Sequence, residues 1–174
     1  MAHKEQIDFC ISVKNKFPER FINAKVLDIG SLDINGNNRY LFENPNYLGI
    51  DIGEGNNVDL VCKGHEYKSK EKFDIVISTE CLEHDKHWKE TLLNAYKLLK
   101  KDGLLIISCA APGREEHGTS KSSSFCSPFT QDYYRNISAE DFKEVFDLEK
   151  FFKDFELKEA HETMHDLYFY GIKL

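Results

Sequence analysis

Two carboxylates and one glycine concentrate the chemistry of this chain. Asp28 and Gly30 close the stretch Lys25-Val26-Leu27-Asp28-Ile29-Gly30-Ser31, and Asp51 closes Gly49-Ile50-Asp51. Asp51 follows the first turn by about 20 residues, the separation expected of an acid that meets a ribose. A carboxylate offers two acceptor oxygens to a vicinal diol. Gly30 permits a bend and a close backbone approach that a side chain would block. A strand that turns through glycine in an open α/β sheet is a cradle for a nucleotide-like ligand. Counted from Gly30, the places a dinucleotide fingerprint gives to glycine hold Leu32 and Asn35, which argues against a nicotinamide oxidoreductase.

Other candidate groups stand later in the chain. His117, in the loop Gly113-Arg114-Glu115-Glu116-His117-Gly118, is the first candidate for a general base because imidazole titrates near neutrality. Its bland alternative is an exposed loop histidine. His84 reads either as a base or as a structural, hydrogen-bonding histidine. His84, Asp85, His87 and His117 are permissible metal ligands, but their spacing matches no ligand signature, so no metal is expected. The five cysteines, Cys10, Cys62, Cys81, Cys109 and Cys126, are odd in number, widely spaced and without a Cys-x-x-Cys pair. That pattern predicts reduced thiols in a cytoplasmic protein. Cys81 sits where a thiolate would be favoured, yet nothing else suggests a covalent intermediate, and buried packing is the default.

The elements that must position these groups follow in order. At 174 residues a single domain is expected over residues 1–174. Ile7, Cys10, Ile11 and Phe17 predict one stripe of an N-terminal helix over residues 4–17, within a covering segment 1–20. Strands are predicted over 25–29, 46–52, 58–62, 73–78 and 104–109, with a short helix after Asn35-Gly36. Trp88, Leu92, Ala95, Tyr96 and Leu99 predict a helix over 86–100, stopped by Lys100-Lys101-Asp102-Gly103. Residues 112–137 are irregular and read as a lid. Ser138-Ala139-Glu140-Asp141 caps a last helix, and 155–160 and 166–172 alternate as two closing strands. The net charge of −7 and the absence of a long basic run disfavour nucleic acid as a partner. The longest apolar run is far too short for a membrane span.

These elements, in this order, resemble the class I S-adenosylmethionine-dependent methyltransferases. The resemblance rests on Val26-Leu27-Asp28-Ile29-Gly30-Ser31, Gly49-Ile50-Asp51, Phe73-Asp74-Ile75-Val76-Ile77-Ser78, Leu82-Glu83-His84 and Leu98-Leu99-Lys100-Lys101-Asp102-Gly103-Leu104-Leu105. The turn Gly-Ser-Leu-Asp-Ile-Asn-Gly, Asp132-Tyr133-Tyr134-Arg135 and the Ser-Ala-Glu-Asp-Phe helix start are similar to the type 11 methyltransferase subset. The resemblance implies an α/β, Rossmann-like sheet, mostly parallel with an antiparallel last strand and helices on both faces. It implies S-adenosyl-L-methionine as cofactor and S-adenosyl-L-homocysteine as product. The implied cofactor contacts are Asp28, Gly30, Ser31, Asp51, Ile52, Gly64, His65, Thr79, Glu80 and Cys81. Glu80 reads either as a partner of the sulfonium or as a helix first-turn acid. Lys63-Gly64-His65 departs from the family, which often has an acid for the adenine amino group there. Glu116 is a candidate acceptor contact, and Tyr133, Tyr134 and Arg135 read either as walls of the acceptor pocket or as an apolar clamp on the lid.

The expected function is transfer of a methyl group to an oxygen or nitrogen of a small-molecule acceptor, with a sugar or glycan precursor suggested by the subset alone. The competing reading is a catalytically silent cofactor-binding module or subunit of a larger complex. The chain is expected to be a monomer or homodimer.

Overall fold

The computed structural model describes residues 3–162 and 164–174. Its centre is one seven-stranded sheet of Lys25–Ile29 (β1), Asn46–Asp51 (β2), Leu60–Val61 (β3), Phe73–Thr79 (β4), Leu99–Ala110 (β5), Phe152–Ala160 (β6) and Asp166–Lys173 (β7), in the order β3-β2-β1-β4-β5-β7-β6. β1 to β5 pair in parallel, and β7 runs antiparallel between β5 and β6. The helices are Lys4–Lys16 (α1), Trp88–Leu98 (α2), Ala139–Val145 (α3) and Leu148–Phe151 (α4). Among the described residues, none is long and apolar enough to cross a membrane.

Alternation along the strands divides the core between the two faces of the sheet. Leu27, Ile29, Val76, Leu105, Ile107 and Phe169 form one buried layer with Leu92 and Ala95 of α2 and Phe142 of α3. Val26, Ile75, Ile77, Leu104, Ile106 and Ile172 form the other with Cys10 and Val13 of α1 and Phe21. Each fully buried side chain of this size contributes about 1.5–3 kcal/mol. This burial fixes the register that brings the ends of β1, β2 and β4 together.

Several element boundaries differ from the sequence expectation. α2 ends at Leu98, and Leu99 is already extended, because its buried side chain pairs with Phe73 across to β4. Lys100 to Gly103 therefore lie in β5, with Asp102 in the left-handed region at φ 60°. The third strand shrinks to Leu60–Val61, and the segment after Gly36 makes only a 3₁₀ turn, Arg39–Leu41. The inward row of α1 is Gln6, Cys10 and Val13, while Ile11 faces outward at 39% exposure. Gln6 is tolerated inside because its Nε2 lies 3.2 Å from Cys10 Sγ. The Ser138 cap forms as a full capping box with Asp141, but α3 is followed by the further short turn α4.

Candidate functional site

The carboxyl ends of β1, β2 and β4 open into one cleft of about 710 Å³. Its walls include Asp28, Gly30, Ser31, Asp51, Ile52, Gly64, His65, Thr79, Glu80, Cys81 and His84. Gln6 and Ile7 of α1 reach it from one side, and Cys126 to Gln131 of the long loop from the other.

The turn after β1 is closed by its own hydrogen bonds. The Gly30 and Ser31 N–H groups both donate to the Ile50 carbonyl, at 2.9 and 3.1 Å. They are spent, so the turn does not use them to cradle a phosphate in the manner of a dinucleotide fold. Asp51 accepts from the Leu32 N–H on Oδ2 at 3.0 Å and from the Gly53 N–H on Oδ1 at 3.2 Å. Each carboxylate oxygen keeps a lone pair for another donor. Burial pushes the Asp51 carboxyl above its ordinary range. Asp28, Asp51, Glu80 and Asp85 line the cleft against Lys63 and Lys86, an acceptor-rich wall that suits a cationic ligand over a polyanion.

Gly30 is glycine for a reason internal to the protein. Its φ is +80°, and a Cβ there would stand 2.3 Å from Cys81 Sγ. The contact locks the β1 turn onto the turn after β4. Cys81 is inert packing, its thiol pushed well above the ordinary range by burial.

Asp28 is a brace at the floor of the cleft. It is buried, accepts from the Tyr47 hydroxyl at 2.5 Å, and lies 3.4 Å from Asn38 Nδ2. Asn38 Nδ2 also donates to Thr79 Oγ1 at 3.1 Å, so one carboxylate ties β1 to β2 and, through Asn38, to β4. Burial pushes Asp28 up to about 6 against the hydrogen bonds from Tyr47 and Asn38. Asn38 and Tyr47 escape a sequence reading, which has no signal for a partner brought in from another strand.

Glu80 follows β4 with φ +52° and accepts from the Ser108 hydroxyl at 2.8 Å. His3, the N-cap of α1, places Nε2 3.5 Å from Glu80 Oε2 and 3.1 Å from Asp166 Oδ2. Arg114 Nη1 meets Asp166 Oδ1 at 2.7 Å. Burial opposes the charge on His3, but hydrogen bonds to Asp166 and Glu80 outweigh it and raise His3 to about 10. Burial likewise opposes ionisation of Glu80, and the His3 hydrogen bond prevails, holding Glu80 down at about 2. Glu80 thus stands in the cleft wall as a carboxylate already faced by an imidazolium.

The candidate acceptor residues divide. His84 lines the cleft, whereas His117, Glu116, Tyr133, Tyr134 and Arg135 lie outside its walls. Arg135 turns away because Asp141 and the Trp88 ring hold it, at 2.5 Å and 5.6 Å from the ring centroid. Glu116 accepts from Thr119 Oγ1 at 2.7 Å, and the Tyr134 hydroxyl donates to the Glu115 carbonyl at 3.1 Å. The Tyr133 N–H turns back to the Thr130 carbonyl within the loop. His117 packs edge-to-face behind His84, ring centroids 5.0 Å apart, with Tyr134 against both. Burial lowers His84 to about 3 and also lowers His117, so burial disfavours the charged form of both rings. The part of the long loop that does reach the cleft carries Phe129, whose ring lies 2.1 Å from where a Gly53 Cβ would stand.

This architecture, with a reversed seventh strand and a cleft at the carboxyl ends of β1, β2 and β4, is the class I methyltransferase fold. The sequence profile of a family described as "Methyltransferase domain" matches residues 1–147, and the chain belongs to that family. Solved structures agree on the fold. The 1,6-didemethyltoxoflavin-N1-methyltransferase of Burkholderia thailandensis, with bound 1,6-didemethyltoxoflavin and S-adenosylhomocysteine, is 16% identical with a TM-score of 0.67, over 97% of this chain and 77% of that one. Phosphoethanolamine N-methyltransferase 2 of Haemonchus contortus, in complex with S-adenosyl-L-methionine, is 18% identical with a TM-score of 0.66, over 95% of this chain. This chain spans only 52% of that protein. The magnesium protoporphyrin IX methyltransferase of Synechocystis PCC 6803, with bound S-adenosylmethionine, is 14% identical with a TM-score of 0.65, over 98% and 80%. No curated protein matches the chain significantly.

Proposed function

We propose that this chain transfers a methyl group from S-adenosylmethionine to an oxygen or nitrogen of a small molecule. Asp51 carries the proposal: a carboxylate fixed at a strand end by two backbone donors, with a lone pair left on each oxygen. That arrangement suits the ribose diol of the donor. The donor would supply a methyl already activated on a positive sulfur, so the protein's task is to hold, align and keep dry. Ile34, Tyr40, Ile52 and Phe129 are exposed apolar groups that line the cleft, and they serve a flat, apolar ring. Asp28 keeps the cleft floor rigid, and the acidic wall favours a cationic ligand.

The acceptor belongs at the His84 end, between that histidine and the segment Cys126 to Gln131. The motifs shared with the type 11 subset favour a sugar or glycan precursor, and the small acceptors of the fold relatives support a small molecule. Calorimetry with S-adenosylmethionine and S-adenosylhomocysteine tests the donor site. A panel of nucleotide sugars, glycans and small amines with methyl-labelled donor tests the acceptor. Saturable heat with both ligands and label transfer to one acceptor class are expected. Folded protein giving no heat with either ligand would overturn the proposal.

A further inference from the structure

Beside the cleft, three side chains converge with their ligating atoms unused. Glu83 is wholly buried, and neither carboxylate oxygen has a hydrogen-bond partner among the described residues. His84 Nδ1 and His117 Nε2 are buried and likewise without a partner. One ligating atom from each of the three lies within 4.8 Å of the others. A carboxyl group buried in this way is costly to ionise unless a cation compensates the charge. The His117 ring is also oriented from behind, its Nδ1 lying 3.0 Å from the Glu115 carbonyl. A backbone carbonyl that takes the outer N–H fixes the tautomer and aims the other nitrogen's lone pair inward, as second-shell carbonyls do at metal centres. Gly118, at φ +71°, keeps the flank of His84 open: a Cβ there would fall 2.7 Å from the ring carbon Cε1 and 3.3 Å from Nδ1.

We propose that Glu83, His84 and His117 bind one divalent first-row transition metal ion at the acceptor end of the cleft. Two imidazoles and a carboxylate suit zinc, iron(II), manganese or cobalt, and leave coordination positions open for an exogenous oxygen. His84 is shared between this site and the cleft wall, so the open positions serve the acceptor. This deepens the methyltransferase reading and rests on it: the acceptor class is then a hydroxyl compound, bound to the ion through oxygen, with its proton more easily lost to water. The spacing of His84, Asp85, His87 and His117 fits no ligand signature, so no metal is expected from the sequence; Glu83 joins His84 and His117 only because the loop 112–137 folds back beside it. The other carboxylate–histidine cluster, His3, Glu80 and Asp166, is closed by its own ion pairs and Arg114.

The test begins with chelator-stripped protein. Calorimetry with Mn²⁺ or Zn²⁺, and the visible absorption of Co²⁺, should report one equivalent bound. Glu83→Gln and His117→Gln should each weaken that binding by more than about a hundredfold. Glu83→Gln replaces an uncompensated acid with a neutral group of its size, so its metal-free form should melt no lower than the parent. Absence of stoichiometric binding overturns the proposal. Binding unchanged in both variants also overturns it, since the ion would then sit at another histidine pair such as His65 and His87. S-adenosylhomocysteine is titrated into the same stripped protein: heat there with no metal site sinks this proposal alone, and metal binding without that heat sinks the donor reading alone.

Discussion

Replacing Asp51 with Ala isolates the group on which the proposed donor site rests. The structure gives two separate costs. The Leu32 and Gly53 N–H groups, at 3.0 and 3.2 Å, lose their acceptor. At about 1 kcal/mol for each such bond, and about 2–4 °C per kcal/mol in a chain of this size, the melting temperature should fall by about 4–8 °C. The bound ligand loses up to two charge-assisted hydrogen bonds, a loss of about 1–3 kcal/mol, or about five- to 150-fold in Kd for S-adenosylhomocysteine. Calorimetry well below the variant's melting temperature separates the two. Asp51→Asn retains the volume with one acceptor oxygen and should fall between parent and Ala. A Kd unchanged in either folded variant would refute the assignment of Asp51 to the ligand.

Gly30→Ala should destabilise the fold by about 2–4 kcal/mol through its positive φ and the Cys81 contact, read by denaturant unfolding; Cys81→Gly in the same chain should restore part of that loss, and strict additivity would disprove the coupling. His3 is raised to about 10 from an ordinary 6.5, so its contribution is fully present below about pH 6.5 and is lost as the pH rises through 10. His3→Ala should flatten that fall in thermal scans between pH 7 and 10, and an identical pH profile would refute the His3–Glu80–Asp166 network. Phe129 is 59% exposed, so Phe129→Ala should leave stability within about 1 kcal/mol while speeding dissociation of S-adenosylhomocysteine in stopped flow. An unchanged dissociation rate would remove Phe129 from the cleft cover.

Composition and local pattern determined the strands. Val26 to Ile29 and Phe73 to Ser78 are apolar runs that only a doubly covered sheet can bury, and Asp51 could be placed by its distance from the first turn. Ser138 and Asp141 lie three apart, so their capping box was legible too. What depends on contacts between distant segments was not. The end of α2 is decided by the pairing of Leu99 with Phe73, which overrides the cations and glycine that follow. Gly30 is required by Cys81, 51 positions away, and Asp28 owes its brace to Asn38 and Tyr47. Arg135 is drawn to Asp141 and Trp88 instead of the cleft. The meeting of Glu83 and His84 with His117 exists only because the long loop returns over the end of β4. Side-chain type and short spacing write the strands and their turns; which distant group faces a carboxylate or an imidazole is written by packing, and that sets its charge and its chemistry.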